Sequence, residues 1–127
     1  MNALIVEDDR NLAFLWSDIL DSLGYACEVV QSNTRAMAKV LRRRYDLCLL
    51  DFFVDDGVTT GLADLIRMRS PSTSILVITG SDIYPNGEHT RETPSVDMFL
   101  RKPIRTADLT AILHHLNSSA KAQVCSA

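Results

Sequence analysis

Four stretches of this sequence carry groups that could do chemistry, and each comes directly after an apolar run. Glu7-Asp8-Asp9 follows Leu4-Ile5-Val6, and Asp51 follows Leu47-Cys48-Leu49-Leu50. Thr79-Gly80-Ser81 follows Ile75-Leu76-Val77-Ile78, and Lys102-Pro103 follows Met98-Phe99-Leu100-Arg101. An acid or threonine in such a place often caps the next helix, and for any one of these residues alone that account suffices. It does not explain acids gathered after two neighbouring runs. Carboxylates that meet repel one another and require a cation, and an all-oxygen ligand set suits Mg²⁺. A nearby lysine adds a second positive charge. This is the equipment of phosphoryl transfer, which depends mainly on positioning and charge neutralisation. An aspartate beside such an ion can be the nucleophile and form an aspartyl phosphate.

The elements between these groups decide whether they meet. The first, third and fourth apolar runs are apolar throughout, as strands covered on both faces should be. The second, Cys27-Glu28-Val29-Val30-Gln31, and the fifth, Met98-Phe99-Leu100-Arg101, mix polar with apolar residues and read as sheet edges. Leu12, Leu15, Trp16, Ile19, Leu20 and Leu23 form one helical face, closed by Gly24. Ser32 or Asn33 can cap a second helix carrying Ala36, Met37, Val40 and Leu41, and a third, with Leu62, Leu65 and Ile66, should stop before Pro71. A last helix is expected from an Arg105 or Thr106 cap through Leu109, Ile112, Leu113 and Leu116. The interval 81–96 contains Pro85, Gly87 and Pro94, lacks an apolar stripe, and leaves room for a short, irregular fourth helix at most. This alternation predicts an α/β fold: a five-stranded parallel sheet in the order 2-1-3-4-5, a flavodoxin-like (βα)5 three-layer sandwich. In such a sheet all four groups fall on the rim beyond the carboxyl ends of the strands, where ligands bind at the switch in strand order.

Composition narrows the possibilities further. The chain has 127 residues, enough for one domain, with 46% apolar and 23% charged residues. A net charge of −3 argues against a general attraction to nucleic acid or to anionic membranes. The one basic cluster, Arg42-Arg43-Arg44, reads as a solvated last helical turn. Cys27, Cys48 and Cys125 lack metal or redox spacing and read as free thiols in a reducing compartment. No targeting or transmembrane segment is visible, so a cytoplasmic location is expected. His89, His114 and His115 neighbour no acid cluster in sequence and are taken as structural. The compact domain is expected over residues 1–117, with a flexible tail at 118–127.

The motifs Leu-Ile-Val-Glu-Asp-Asp, Leu-Cys-Leu-Leu-Asp, Ile-Leu-Val-Ile-Thr-Gly and Phe-Leu-Arg-Lys-Pro occur in this order, each at a strand end. In this the sequence resembles the response-regulator receiver domains of two-component signalling, and the single-domain chemotaxis regulators in particular, over about residues 2–117. The resemblance implies roles residue by residue. Asp51 would be the phosphoacceptor. Asp8 would bind Mg²⁺ (or Mn²⁺) directly, Glu7 directly or through water, and the Phe53 backbone carbonyl would add a ligand. Thr79 would hydrogen-bond the phosphoryl group, Lys102 would pair with Asp51, Phe99 would be the switch aromatic, and the Lys102–Pro103 bond would be cis. The phosphodonor would be a sensor histidine kinase or a histidine phosphotransfer protein. Only about ten residues follow the last helix, so the output is expected to be contact with a downstream protein or phosphoryl relay, with a homodimer possible.

The sequence departs from the family pattern after Asp51, where Val54-Asp55-Asp56-Gly57 makes the loop about two residues longer. Asp55 and Asp56 add charge near the site there and read as a solvated turn. Two other classes fit the sequence less well. A metal-dependent phosphatase with an aspartyl nucleophile would need a second acid two residues on, where Phe53 stands. A module that binds partners without phosphate would not need Glu7, Asp8, Asp51, Thr79 and Lys102 together.

Overall fold

The computed structural model describes residues 1–80 and 94–126, with side chains in the last helix as far as Leu116. Strands β1 (Asn2–Val6), β2 (Ala26–Val30), β3 (Leu47–Asp51), β6 (Ser74–Thr79) and β7 (Met98–Arg101) form one sheet in the order β2-β1-β3-β6-β7. Every neighbouring pair is parallel. A small antiparallel hairpin, β4 (Phe53–Val54) with β5 (Gly57–Val58), is inserted after β3. With it set aside, the order is the 2-1-3-4-5 that the alternation predicts. Helices α1 (Arg10–Ser22), α2 (Asn33–Arg42), α3 (Thr60–Arg69) and α4 (Thr106–Ser126) complete the described elements.

The all-apolar strands are explained by two cores. Successive strand residues face opposite sides of the sheet. Leu4, Val6, Cys48, Leu50, Ile75 and Val77 join Ala36, Val40, Leu62 and Ile66 of α2 and α3. Ala3, Ile5, Leu49, Leu76 and Ile78 join Trp16, Ile19 and Leu20 of α1 and Leu109 and Leu113 of α4. β1, β3 and β6 therefore bury both faces, whereas β2 and β7 lie at the edges.

Local chemistry sets the ends of the helices. Asp9 caps α1, its side chain accepting from the amides of Asn11 and Leu12. Gly24, at φ 93°, takes the left-handed conformation that ends the helix before β2. Ser32 caps α2 by accepting from Arg35 N–H. The basic cluster is divided: Arg42 is in the last turn, and Arg43 leaves the helix to pair with Glu28, which also binds Lys39. α3 ends at Arg69, two residues before Pro71, and the Arg69 guanidinium covers the carbonyls of Val40 and Leu41 at the end of α2.

Three expectations are corrected or left aside. The segment after Asp51 is a hairpin, not merely a longer loop: Phe53 pairs with Val58 and Val54 with Gly57, which sits at φ 120°. Its turn is tied down rather than simply solvated, because Asp56 accepts from the amides of Asn33 and Thr34 and from the Thr34 hydroxyl. Asn33 Nδ2 answers by donating to the Gly57 and Val58 carbonyls. The last helix runs on to Ser126, past Leu116, the last residue of its expected apolar stripe. Residues 106–126 contain neither glycine nor proline, so nothing in the backbone forces an earlier stop. Residues 81–93, and with them the irregular fourth helix and His89, lie outside the described residues. Among the described residues, no helix is long and apolar enough to cross a membrane.

Thr59 joins fold to site. It stands at the N-cap of α3 yet makes no side-chain capping bond. Its buried hydroxyl turns back instead and donates to the Asp51 carbonyl at 2.8 Å. Thr59→Val keeps the shape and deletes that bond, so it should lower stability by about 1–2 kcal/mol. Urea unfolding checks this, and an unchanged midpoint would contradict the assignment.

Candidate functional site

The rim beyond the carboxyl ends of β1, β3, β6 and β7 brings the expected groups together. Asp51 ends β3 and is buried. Glu7, the first residue after β1, is 1% exposed, which is rare for a carboxyl. Its amide donates to Val30 O at the end of the neighbouring β2, fixing the chain as it leaves the sheet. Carboxylate oxygens of Glu7, Asp8 and Asp51 lie within 4.8 Å of one another. Lys102 Nζ stands 3.2 Å from Asp51 Oδ2 and 3.7 Å from Glu7 Oε1.

The backbone explains how Lys102 reaches the acids. Its amide donates to Thr79 O at 2.8 Å, which holds the residue at the end of β7 against the end of β6. The bond to Pro103 is cis, as the resemblance implies. A Cβ added at Gly80 would meet Lys102 Cδ at 3.5 Å, an ordinary van der Waals distance, so the lysine stem passes just beyond Gly80. Thr79 is partly buried at the end of β6. Phe99 is partly buried against the core under α2 and α3. Phe53 N–H points to Asp51 Oδ1 at 3.5 Å, while its ring is 61% exposed on the hairpin.

The electrostatics are those of crowded acids. Burial, together with a hydrogen bond to and the charge of Asp51, pushes the Glu7 carboxyl up to about 8, with Lys102 pulling the other way. Asp8 is raised as well, first by burial and then by a hydrogen bond to and the charge of Asp55. Glu7 Oε2 is buried without a hydrogen-bond partner. An orphaned carboxyl oxygen, and acids raised first by burial and then by one another, both fit an all-oxygen site for a small divalent cation. No other cluster of this kind occurs among the described residues.

Three contributors escape sequence reasoning. Asp55 reads as a solvated turn, but the hairpin sets it beside Asp8. Thr59 stands out in no sequence pattern, yet it braces Asp51. Trp16 reads only as part of the α1 stripe, but the Lys102 ammonium lies 5.8 Å from the centre of its ring. Each depends on a contact between distant segments, and no local pattern announces it. His114 and His115 are on α4 and are not part of the acidic cluster.

Comparison with known proteins agrees with this arrangement. The response regulator receiver domain family matches residues 3–114. The transcriptional regulatory protein RprY of Bacteroides fragilis is 28% identical over 114 residues, which cover 87% of this chain and 46% of that protein. The chain thus spans about half the length of that relative. A CheY-like receiver domain from Methylobacillus flagellatus has 28% identity and a TM-score of 0.78, covering 91% of this chain and 98% of its own. The response regulator TrrA of Thermotoga maritima, solved in complex with Mg²⁺ and beryllium fluoride, shares the fold with a TM-score of 0.77 and 22% identity, covering 91% of this chain and 97% of its own. A family match over nearly the whole chain, a shared fold and acids gathered at one sheet rim lead to one conclusion: this chain belongs to the response regulator receiver domain family.

Proposed function

We propose that Asp51 is the phosphoacceptor of this receiver and that Glu7, Asp8 and Asp51, with the Phe53 carbonyl, hold Mg²⁺ or Mn²⁺. The observation that carries the reading is the pairing of Asp51 with Lys102 inside a buried acidic cluster. The ion would neutralise the acids and the phosphoryl oxygens. An Asp51 carboxylate oxygen forms a bond to phosphorus while the bond from phosphorus to the donor's leaving atom breaks. The leaving group keeps the electron pair, and an imidazole leaving a phosphohistidine takes up a proton. Lys102 stays beside the reacting oxygen and pairs with the new phosphoryl group, while Thr79 donates its hydroxyl to it. Withdrawal of Thr79 toward that charge opens space for Phe99, whose ring already leans on the core and lacks a hydroxyl to anchor it outside.

The donor in this reading is a sensor histidine kinase or a histidine phosphotransfer protein, and the output is contact with a downstream protein. Residues 1–117 form the receiver unit, acting in the cytoplasm and without direct contact to nucleic acid. Incubation with acetyl phosphate and Mg²⁺ tests the class. Stoichiometric labelling supports a receiver, continuous turnover a phosphatase-like enzyme, and no reaction a phosphate-independent module. The exposed Phe53 in place of an acid favours the first.

Phe53 also bears on the lifetime of the phosphoryl group. Hydrolysis needs a water in line with the bond to Asp51, and an apolar ring two residues away offers no hydrogen bond to orient it. Phe53→Asn supplies one and should speed loss of the phosphoryl group about ten-fold. Slower or unchanged decay would remove Phe53 from the account.

A further inference from the structure

We propose that Trp16 is a positioning residue for Lys102, its ring holding the ammonium at the place where it can serve the phosphoryl group. The inference rests on the reading of Asp51 as acceptor. Trp16 is the only tryptophan of the chain and is 3% exposed, packed with Ile5, Leu49 and Ile78 under the centre of the sheet's rim. Core packing alone would ask only for an apolar side chain there. The indole does more, because the Lys102 ammonium lies 5.8 Å from its ring centre. The same ammonium is 3.2 Å from Asp51 and 3.7 Å from Glu7.

A lysine has four freely rotating bonds, and its ammonium is a point charge with no fixed fork to orient it. When Asp51 becomes an acyl phosphate, its carboxylate charge is lost and the charge to be met moves onto the phosphoryl oxygens. Lys102 must follow over a short distance without leaving the site. The face of an indole carries negative potential and attracts a cation along its surface. Trp16 thereby confines the ammonium to an arc over the ring, on the Asp51 side, before and after transfer. Such confinement reduces the freedom lost when the lysine takes up its place in the transition state.

The test has a ground-state arm and a kinetic arm. Emission from Trp16 should shift in Lys102→Met and stay unchanged in Lys39→Met, since the Lys39 ammonium on α2 is engaged with Glu28 on β2. Unchanged emission in Lys102→Met would overturn the contact, whatever Asp51 does. In the second arm, labelling by acetyl phosphate with Mg²⁺ is followed in the full chain. Trp16→Leu should slow it roughly three- to ten-fold, and Trp16→Phe, which keeps a π face, should restore most of the rate. In a Lys102→Met background, Trp16→Leu should slow labelling no further. Circular dichroism and urea unfolding check that each variant folds. Equal slowing with and without Lys102, or equal slowing by Phe and Leu, would mean that Trp16 only fills the core, and would overturn the proposal. If the emission shifts but wild type takes no label on Asp51, the acceptor reading has failed and the proposed role falls with it.

Discussion

Asp51→Asn should abolish phosphorylation, leaving a folded protein that takes no label from acetyl phosphate or from a phosphohistidine donor. The asparagine amide has no carboxylate oxygen with which to attack phosphorus, yet it keeps the size of the side chain. Its oxygen can still accept from Lys102 Nζ, which stands 3.2 Å from Asp51 Oδ2. The β3 backbone is braced separately by the Thr59 hydroxyl on the Asp51 carbonyl. Removing a charge from a cluster of repelling acids also offsets part of the weakened lysine pairing. The urea midpoint should therefore stay close to wild type while labelling disappears. Wild-type labelling in the variant would contradict the assignment, and so would a collapse of the fold, which would make Asp51 a structural residue.

The second large effect joins acidity, metal and stability. The Glu7 carboxyl is raised to about 8 in the folded protein, from an ordinary value near 4.5 in the unfolded chain. A raised carboxyl binds its proton more tightly in the folded state, so the stability it confers falls as pH rises between those two values. Each unit of elevation corresponds to about 1.4 kcal/mol. Asp8 is raised too and acts in the same direction. Glu28 and Asp56 are lowered, so their contributions are lost only on acidification below the ordinary carboxyl range. Without metal, the melting temperature should therefore fall from about pH 5 to pH 8. Glu7→Gln should flatten this decline and raise the metal-free melting temperature at pH 8. Millimolar Mg²⁺ should recover stability in wild type, most strongly toward pH 8, where Glu7 begins to give up its proton. Asp8→Ala should blunt that response. A wild-type melting temperature that ignores both pH in this window and Mg²⁺ would contradict the acidic site.

The contrast between what sequence reasoning finds and what it misses is physical. Strands with both faces buried carry unbroken apolar runs, so β1, β3 and β6 stand out, and the residue after each run marks the rim. Glu7, Asp8, Asp51, Thr79 and Lys102 are legible because alternation alone places them at one end of a parallel sheet. The hairpin after Asp51 is not legible, because two-residue strands give too short a pattern. Its register is set partly by Asp56 and Asn33, which are 23 residues apart. The nearness of Asp55 to Asp8, and of Trp16 to Lys102, arises in the same way from chain crossings that local spacing does not encode. The end of α4 is missed for the opposite reason, since small and polar residues suit a helix and a loose tail alike.

The central claim, that the buried acidic cluster makes Asp51 the acceptor, is tested most directly by trapping the product. The wild-type chain, labelled with acetyl phosphate and Mg²⁺, is treated with borohydride, which reduces an aspartyl phosphate to homoserine. The modified residue is then located by peptide mass spectrometry. The account predicts homoserine at position 51 alone, and only when the divalent ion was present. Homoserine at Asp8, Asp55 or Asp56, or a phosphoryl group found on a histidine instead, would contradict it.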